Sequence, residues 1–285
     1  MAQRVVKRRV VDNDEGVVVI RPARGFELDV RELWRERELL FFLAGRTIKV
    51  RYKQSLAGPG WAVLQPVLGM LIFSLFFGQL AGLPTQHLPY PVFYYSGLVL
   101  WLLFATTVTS GSDSIVSNQT LIGKVFFPRI FLPLSAGLAA LVDLFVATLV
   151  CIPIFLISGY SPSPLMLLAP VFMLPALAAG SGLALIFGAL NAKYRDVRFV
   201  VPFLVQAGLF ASPLAYSTSL VPPGWRDVYA LNPMVGSIEA FRWCLTGAAQ
   251  PSWSMVGISA VVALLVLVFG VWYFQRTESN IADIV

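Results

Sequence analysis

The stretch "VRYKQSLAGPGWAVLQP", Val50 to Pro66, changes character at its middle. Arg51, Tyr52 and Lys53 seek water or an interface. From Trp61 the chain stays apolar for about twenty residues, the length that crosses a hydrocarbon core. Between the two lies Gly58-Pro59-Gly60, which ends one helix and lets another begin at a new angle.

Composition puts that boundary in a membrane. Hydrophobic residues are 57% of the 285 and charged ones 13%, with a mean hydropathy of +0.75. A soluble domain carries roughly 25% charged residues, so this chain cannot cover an ordinary water-facing surface. The fold class is an all-α integral membrane protein. Cys151 and Cys244 imply no disulfide framework. The first long apolar run begins near residue 61, too far in for a cleaved signal peptide, and neither end carries a lipidation motif.

Six segments qualify as spans: 61–82, 91–111, 131–158, 164–190, 199–216 and 254–275. The fifth is short and starts beside Pro202. Pro153 and Pro175 lie inside other spans, where neighbouring helices can satisfy the freed carbonyls. Nineteen of the 21 Lys and Arg fall on one side of this arrangement, and Arg226 and Arg242 on the other, each near an acid (Asp227, Glu239). The positive-inside rule then places both termini in the cytoplasm. The domains read as a basic cytoplasmic tail (1–28), an amphipathic interfacial helix (29–56), a six-span transmembrane domain (61–275) and a cytoplasmic C-terminus (276–285).

In "DVRELWRERELLFFLAGRTIKVRYKQS", Asp29 and Glu32 are spaced like a capping pair. Leu33, Trp34, Leu40, Phe41, Ala44 and Ile48 recur on one helical face, with Arg35, Glu36, Glu38 and Lys49 opposite. Such a helix lies in the headgroup layer. Arg51 and Lys53 can then reach lipid phosphates or an acidic partner. Two readings stay open: simple anchoring, or a collar that shapes a lateral opening for an amphiphilic substrate.

Residues 113–130 form the longer charged cytoplasmic connection. Ile122, Val125 and Phe126 offer a small apolar face suited to docking another protein, or the segment merely extends a helix to Pro128. The Asn118-Gln119-Thr120 sequon has no meaning on the cytoplasmic side. Enzyme motifs are missing: Gly123-Lys124 is followed by Val125 and lacks the upstream glycine of a phosphate loop. His87 alone builds no metal site. If transport here costs energy, another subunit supplies it.

Asp143 is an acid deep within a span, where a charge costs at least about 2.5–3.5 kcal/mol; it reads as a structural hydrogen bond to a neighbouring helix or as a substrate contact. Tyr94, Trp101 and Phe104 share a face of the second span. Aromatic rings stack on sugars, but they also serve in interfacial belts and in packing.

"RTIKVRYKQSLAGPGWAVLQP", "YPVFYYSGLVLW", "LIGKVFFPRIFLPLS", "NAKYRDVRFVVPF", "SPLAYS" and "LNPMVGSIEAFRW" occur in this order. Together, over residues 26 to 280, they resemble the membrane subunits of ATP-binding-cassette exporters for polysaccharides and polyol phosphates. That group moves lipid-linked O-antigen, capsular polysaccharide or teichoic acid across the bacterial inner membrane. The resemblance implies a homodimer above two cytoplasmic ATPase subunits, which bind the ATP and Mg; no cofactor on this chain; and no nucleic acid. It makes Ile122, Gly123 and Lys124 resemble the coupling helix that receives the ATPase stroke. It makes Arg51, Tyr52 and Lys53 resemble the point where a pyrophosphate-linked lipid enters. Tyr94, Trp101, Phe104 and Tyr216 become candidate channel aromatics. Residues 217–253 resemble short outer gate helices, with Trp225, Asn232, Pro233, Glu239 and Arg242 as gate residues and a break at Asn232-Pro233. A same-class exporter of a drug or small lipid is the alternative, and an intramembrane enzyme would need clustered acids or histidines that the sequence lacks.

Overall fold

The computed structural model describes residues 34–53, 60–124 and 127–284. The basic tail 1–28, the Asp29–Glu32 cap, Leu33, Gly58-Pro59, Val125 and Phe126 lie outside the described residues, as does the side chain of Tyr52.

All regular structure among the described residues is helical. Helix α1 (Arg37–Lys53) precedes α2 (Gly60–Phe73), which continues as a widened π-helical turn, Ser74–Leu80. Then come α3 (Tyr90–Ser117), the short α4 (Gln119–Ile122) and α5 (Phe131–Ile157). A 3-10 turn, Pro164–Leu168, leads into α6 (Ala169–Lys193), followed by α7 (Val197–Phe210). Then follow α8 (Arg226–Tyr229) and α9 (Pro233–Thr246), and α10 (Trp253–Ile284) closes the order.

Among the described residues five stretches are long and apolar enough to cross a bilayer: Val63–Leu80, Tyr90–Ser117, Phe131–Ile157, Pro164–Lys193 and Trp253–Glu278. The expected fifth span, 199–216, is cut short. Its helix ends at Phe210 after 14 residues, a rise of about 21 Å against a core of roughly 30 Å. Pro213 explains the ending, because a proline disfavours helix at the residue before it. The irregular chain that follows is buried at Ser212, Leu214 and Ala215, where protein rather than lipid surrounds its polar backbone.

Helix α3 is the pillar of the bundle. It packs against α2, α5, α6, α7 and α9, while α6 also packs along α10. Close approach depends on small residues, as it does between helices in lipid, where apolar burial supplies little drive. Gly111 of α3 faces Ala184 of α6, and Gly182 of α6 lies against the backbone of α10 at Val266. The outward faces of α2, α5, α7 and α10 carry exposed Leu, Phe and Val, as a lipid-facing surface requires.

Helix α1 presents Leu40, Leu43, Ala44, Thr47, Ile48 and Arg51 inward at helical spacing and packs on α5. Trp34 and Phe41, expected on the same face, are exposed instead, with Phe42 and Val50. Apolar residues occupy two sides of this helix because one side meets protein and the other does not.

Candidate functional site

Arg51 sits in the last turn of α1 and does not project freely. Its Nη1 pairs with the Asp143 carboxylate of α5, and its Nη2 approaches the Ser110 hydroxyl of α3 at 3.4 Å. Side-chain exposures of 31% for Arg51 and 22% for Asp143 leave the pair reachable from one side. Lys53, two residues on, is exposed. Of the expected entrance residues, the structure thus ties Arg51 to an acid that the sequence placed deep in a span, and leaves Lys53 outside that contact.

The 118–124 connection divides into two faces. Leu121 and Ile122 of α4 pack into a cluster with Leu39, Leu40 and Leu43 of α1 and Phe127, Ile130 and Phe131 at the start of α5. Gln119, Thr120, Gly123 and Lys124 remain exposed. Arg46 of α1 donates to the Asn118 side-chain oxygen at 2.9 Å. Ile122, expected on a free docking face, is therefore half-covered by its packing with α1, and among the described residues of the connection Gln119, Thr120, Gly123 and Lys124 are the accessible ones.

Tyr94, Trp101 and Phe104 are buried in the core of the subunit, at 1%, 3% and 7% exposure. Tyr94 stacks on Phe73 with ring centroids 4.5 Å apart. Trp101 lies beside Phe104 at 5.2 Å and against Gly208 of α7, where an added Cβ would come within 3.0 Å of its ring. Both contacts favour the packing reading over rings bared to a passing sugar. Tyr216 is half-exposed; it donates to the Phe210 carbonyl at 3.1 Å. Its one proton is thereby used, so in the 3.0 Å contact between the Tyr216 and Tyr229 hydroxyls Tyr229 donates. Burial, helped by this hydrogen bond, pushes the Tyr229 phenol well above its usual pKa.

The α8–α9 segment is organised around Arg242. Nε donates to the Phe93 carbonyl at 3.1 Å, Nη1 to Glu239 at 3.0 Å and Nη2 to the Pro213 carbonyl at 2.7 Å. The guanidinium also lies 3.8 Å over the Phe93 ring, in space left by Gly97, where a Cβ would fall 2.7 Å from Nη2. Burial lowers its pKa while the Glu239 charge raises it again. Asn232 caps α9 by accepting from the Met234 N–H at 3.0 Å, with Pro233 in the first turn. Its amide nitrogen holds the Ala211 carbonyl and the Ser212 hydroxyl. Trp225 is exposed and outside this network.

A cavity of about 180 Å³ lies between α3, α6 and α7, lined by Thr109, Ser112, Asp113, Asn191 and Arg198 together with Val201 and Pro202. Sequence reasoning missed Ser110, Arg46 and Asn191, whose partners are 59 to 79 residues away in the chain; nothing local marks such pairs. Among the described residues no cluster of three or more His, Cys, Asp and Glu could hold a metal ion.

The family model described as "ABC-2 type transporter" matches residues 38–246. The chain is 29% identical to the O-antigen export system permease protein RfbA of Myxococcus xanthus, over 89% of this chain and 98% of that protein. A protein of the same description from Klebsiella pneumoniae is 27% identical, over 87% and 95%. The polysialic acid transport protein KpsM of Escherichia coli is 23% identical, over 82% and 91%.

Proposed function

The chain belongs to the ABC-2 type transporter family, and from that premise we propose that it is the permease subunit of an ATP-driven exporter of a lipid-linked polysaccharide. It is a multi-pass membrane protein and a transport component rather than an enzyme. The observation that carries the reading is its likeness, along nearly the whole length of both chains, to permeases named for O-antigen export.

The finer picture is ours. Two copies assemble side by side in the bacterial inner membrane, with both termini cytoplasmic. Helix α7 and the buried chain after it complete a sixth crossing. Two ATPase subunits below bind ATP and Mg, and press on the exposed Gly123-Lys124 end of the 118–124 connection. The glycan, of O-antigen, capsular or teichoic-acid type, enters at Arg51, Tyr52 and Lys53. It threads a channel between the copies and leaves past the α8–α9 gate. Tyr216, half-exposed near the outer end, is the candidate aromatic best placed to touch it.

Deleting the gene in its host should strip the glycan from the cell surface and leave it, lipid-linked, inside. Restoring the chain restores export only together with its ATPase. Normal surface glycan in the deletion strain would overturn the reading.

A further inference from the structure

We propose that Arg51 and Asp143 form an intramembrane phosphate-exchange site: the pair is closed at rest, and a phosphoryl group on the substrate in transit displaces Asp143 from Arg51. The inference rests on the reading of the chain as an exporter of a phosphate-bearing lipid-linked glycan, and gives Asp143 a role which that reading does not.

Position comes first. Helix α5 has 27 residues, a rise of about 40 Å, and Asp143 lies near its middle. Val142, Phe145 and Leu149 beside it are exposed, whereas Leu144 and Ala147 are buried. Asp143 thus stands at the seam between the lipid-facing and packed sides of α5, with the tip of α1 laid over it. A resting phospholipid keeps its headgroup in the interfacial layer, so an anion reaches this depth only when something carries it inward.

Chemistry comes second. A guanidinium is a planar fork that reads carboxylate and phosphate oxygens alike. Asp143 fills that fork with one negative charge. Neutral tails and uncharged sugars offer nothing to replace it, whereas a pyrophosphate, with more charge and more acceptor oxygens, does. The closed pair therefore acts as a charge filter, rejecting weaker anions by occupying the site itself. The Ser110 hydroxyl accepts from Arg51 at 3.4 Å, and its own proton can be donated to an incoming phosphate oxygen.

The assembled transporter should be titrated with farnesyl pyrophosphate, with farnesol as the uncharged control. Asp143→Asn removes the competing carboxylate and should tighten pyrophosphate binding about fivefold, the scale of one partly exposed ion pair. Arg51→Gln should abolish the tight binding, the double variant should behave like Arg51→Gln, and farnesol should not discriminate among them. Inorganic pyrophosphate distinguishes the sources: competition equal to that of the lipid assigns recognition to the phosphate alone, and weaker competition assigns it to a phosphate presented on a lipid. A purely structural pair predicts the reverse, with Asp143→Asn unchanged or weaker in binding and lower in melting temperature. That result, or binding retained by Arg51→Gln, or no binding by any form, overturns the exchange. Should Asp143→Asn fail to assemble, Ser110→Ala leaves the ion pair intact and must still weaken pyrophosphate binding; no change there overturns the proposal as well. Loss or retention of surface glycan in the deletion strain decides the exporter reading separately.

Discussion

Glu239 accepts a hydrogen bond from Nη1 of Arg242 at 3.0 Å, one turn away on α9. The other nitrogens of that guanidinium hold carbonyls of Phe93 in α3 and of Pro213 after α7. One side chain therefore joins three segments that the sequence separates widely, and it does so at 2% exposure. Arg242→Ala would strand the Glu239 carboxylate and two carbonyls together. Removing one partner of a buried pair costs about 3–5 kcal/mol, so the melting temperature of the purified transporter should drop sharply. Arg242→Lys keeps the charge but cannot reproduce the fork, and should recover part of the loss. Equal melting of wild type and Arg242→Ala would show that the residue does not hold these three segments together.

The α6–α10 contact is set by glycines. A Cβ on Gly182 would fall 2.6 Å from the carbonyl carbon of Val266, and backbone cannot step aside as a flexible side chain can. Gly182→Ala should destabilise by about 1–3 kcal/mol, the usual cost of overpacking. Gly257→Ala, on the same α10 but with nothing within 4 Å of the added Cβ, should be neutral or slightly stabilising, since alanine favours helix. Thermal unfolding of the two variants side by side checks the contrast.

The long apolar stretches were readable because crossing a bilayer imposes a length, and α5 spans Phe131–Ile157 against an expectation of 131–158. Which face of each span turns inward was not readable. In lipid, a packed face and an exposed face are both apolar, so Trp101 in the core and Phe145 on the surface carry the same hydropathic signal. The π turn at Ser74–Leu80 and the early end of α7 depend on tertiary surroundings as much as on composition. Among candidate sites, charges in or beside apolar segments stood out in the sequence at Asp143 and Arg242. Their partners did not, because Arg51 and Asp143 are 92 residues apart and only folding joins them. Tyr52 lies outside the described side chains.

Packing of the α3 rings has its own expected outcome. Trp101→Ala and Phe104→Ala each open a cavity in the core and should cost about 3–5 kcal/mol, seen as less assembled protein. Export per assembled complex should not fall with glycan length. A defect that grows with chain length, in complexes of equal abundance and melting temperature, would return these rings to the transport path.

Tyr229 makes the α8–α9 segment sensitive to alkali. Its phenol is neutral in the folded protein because burial, then the hydrogen bond to Tyr216, raises its pKa. The raised value means stability is fully present below the ordinary tyrosine pKa of about 10. Above it the unfolded chain loses a proton that the folded one keeps, so stability falls as pH rises. Tyr229→Phe should flatten the melting temperature against pH above that point. An unchanged slope would mean other groups control the alkaline loss.

The 118–124 connection gives the sharpest contrast between neighbouring residues. Ile122 faces the cluster around Leu43, whereas Lys124 is exposed at the end of the same short element. If the ATPase pushes here, the two positions should fail differently. Ile122→Ala removes half-buried apolar surface at roughly 25 cal/mol per Å², so it should lower the melting temperature by loosening α1 from the start of α5. Lys124→Glu alters no internal contact of its side chain among the described residues and should leave melting unchanged. It reverses a charge at the surface offered to the partner, so export per ATP hydrolysed should drop. Melting curves and coupled export–hydrolysis measurements on both variants separate support from transmission. Should Lys124→Glu export normally at an unchanged hydrolysis rate, the ATPase contact has to be sought on another part of the cytoplasmic surface.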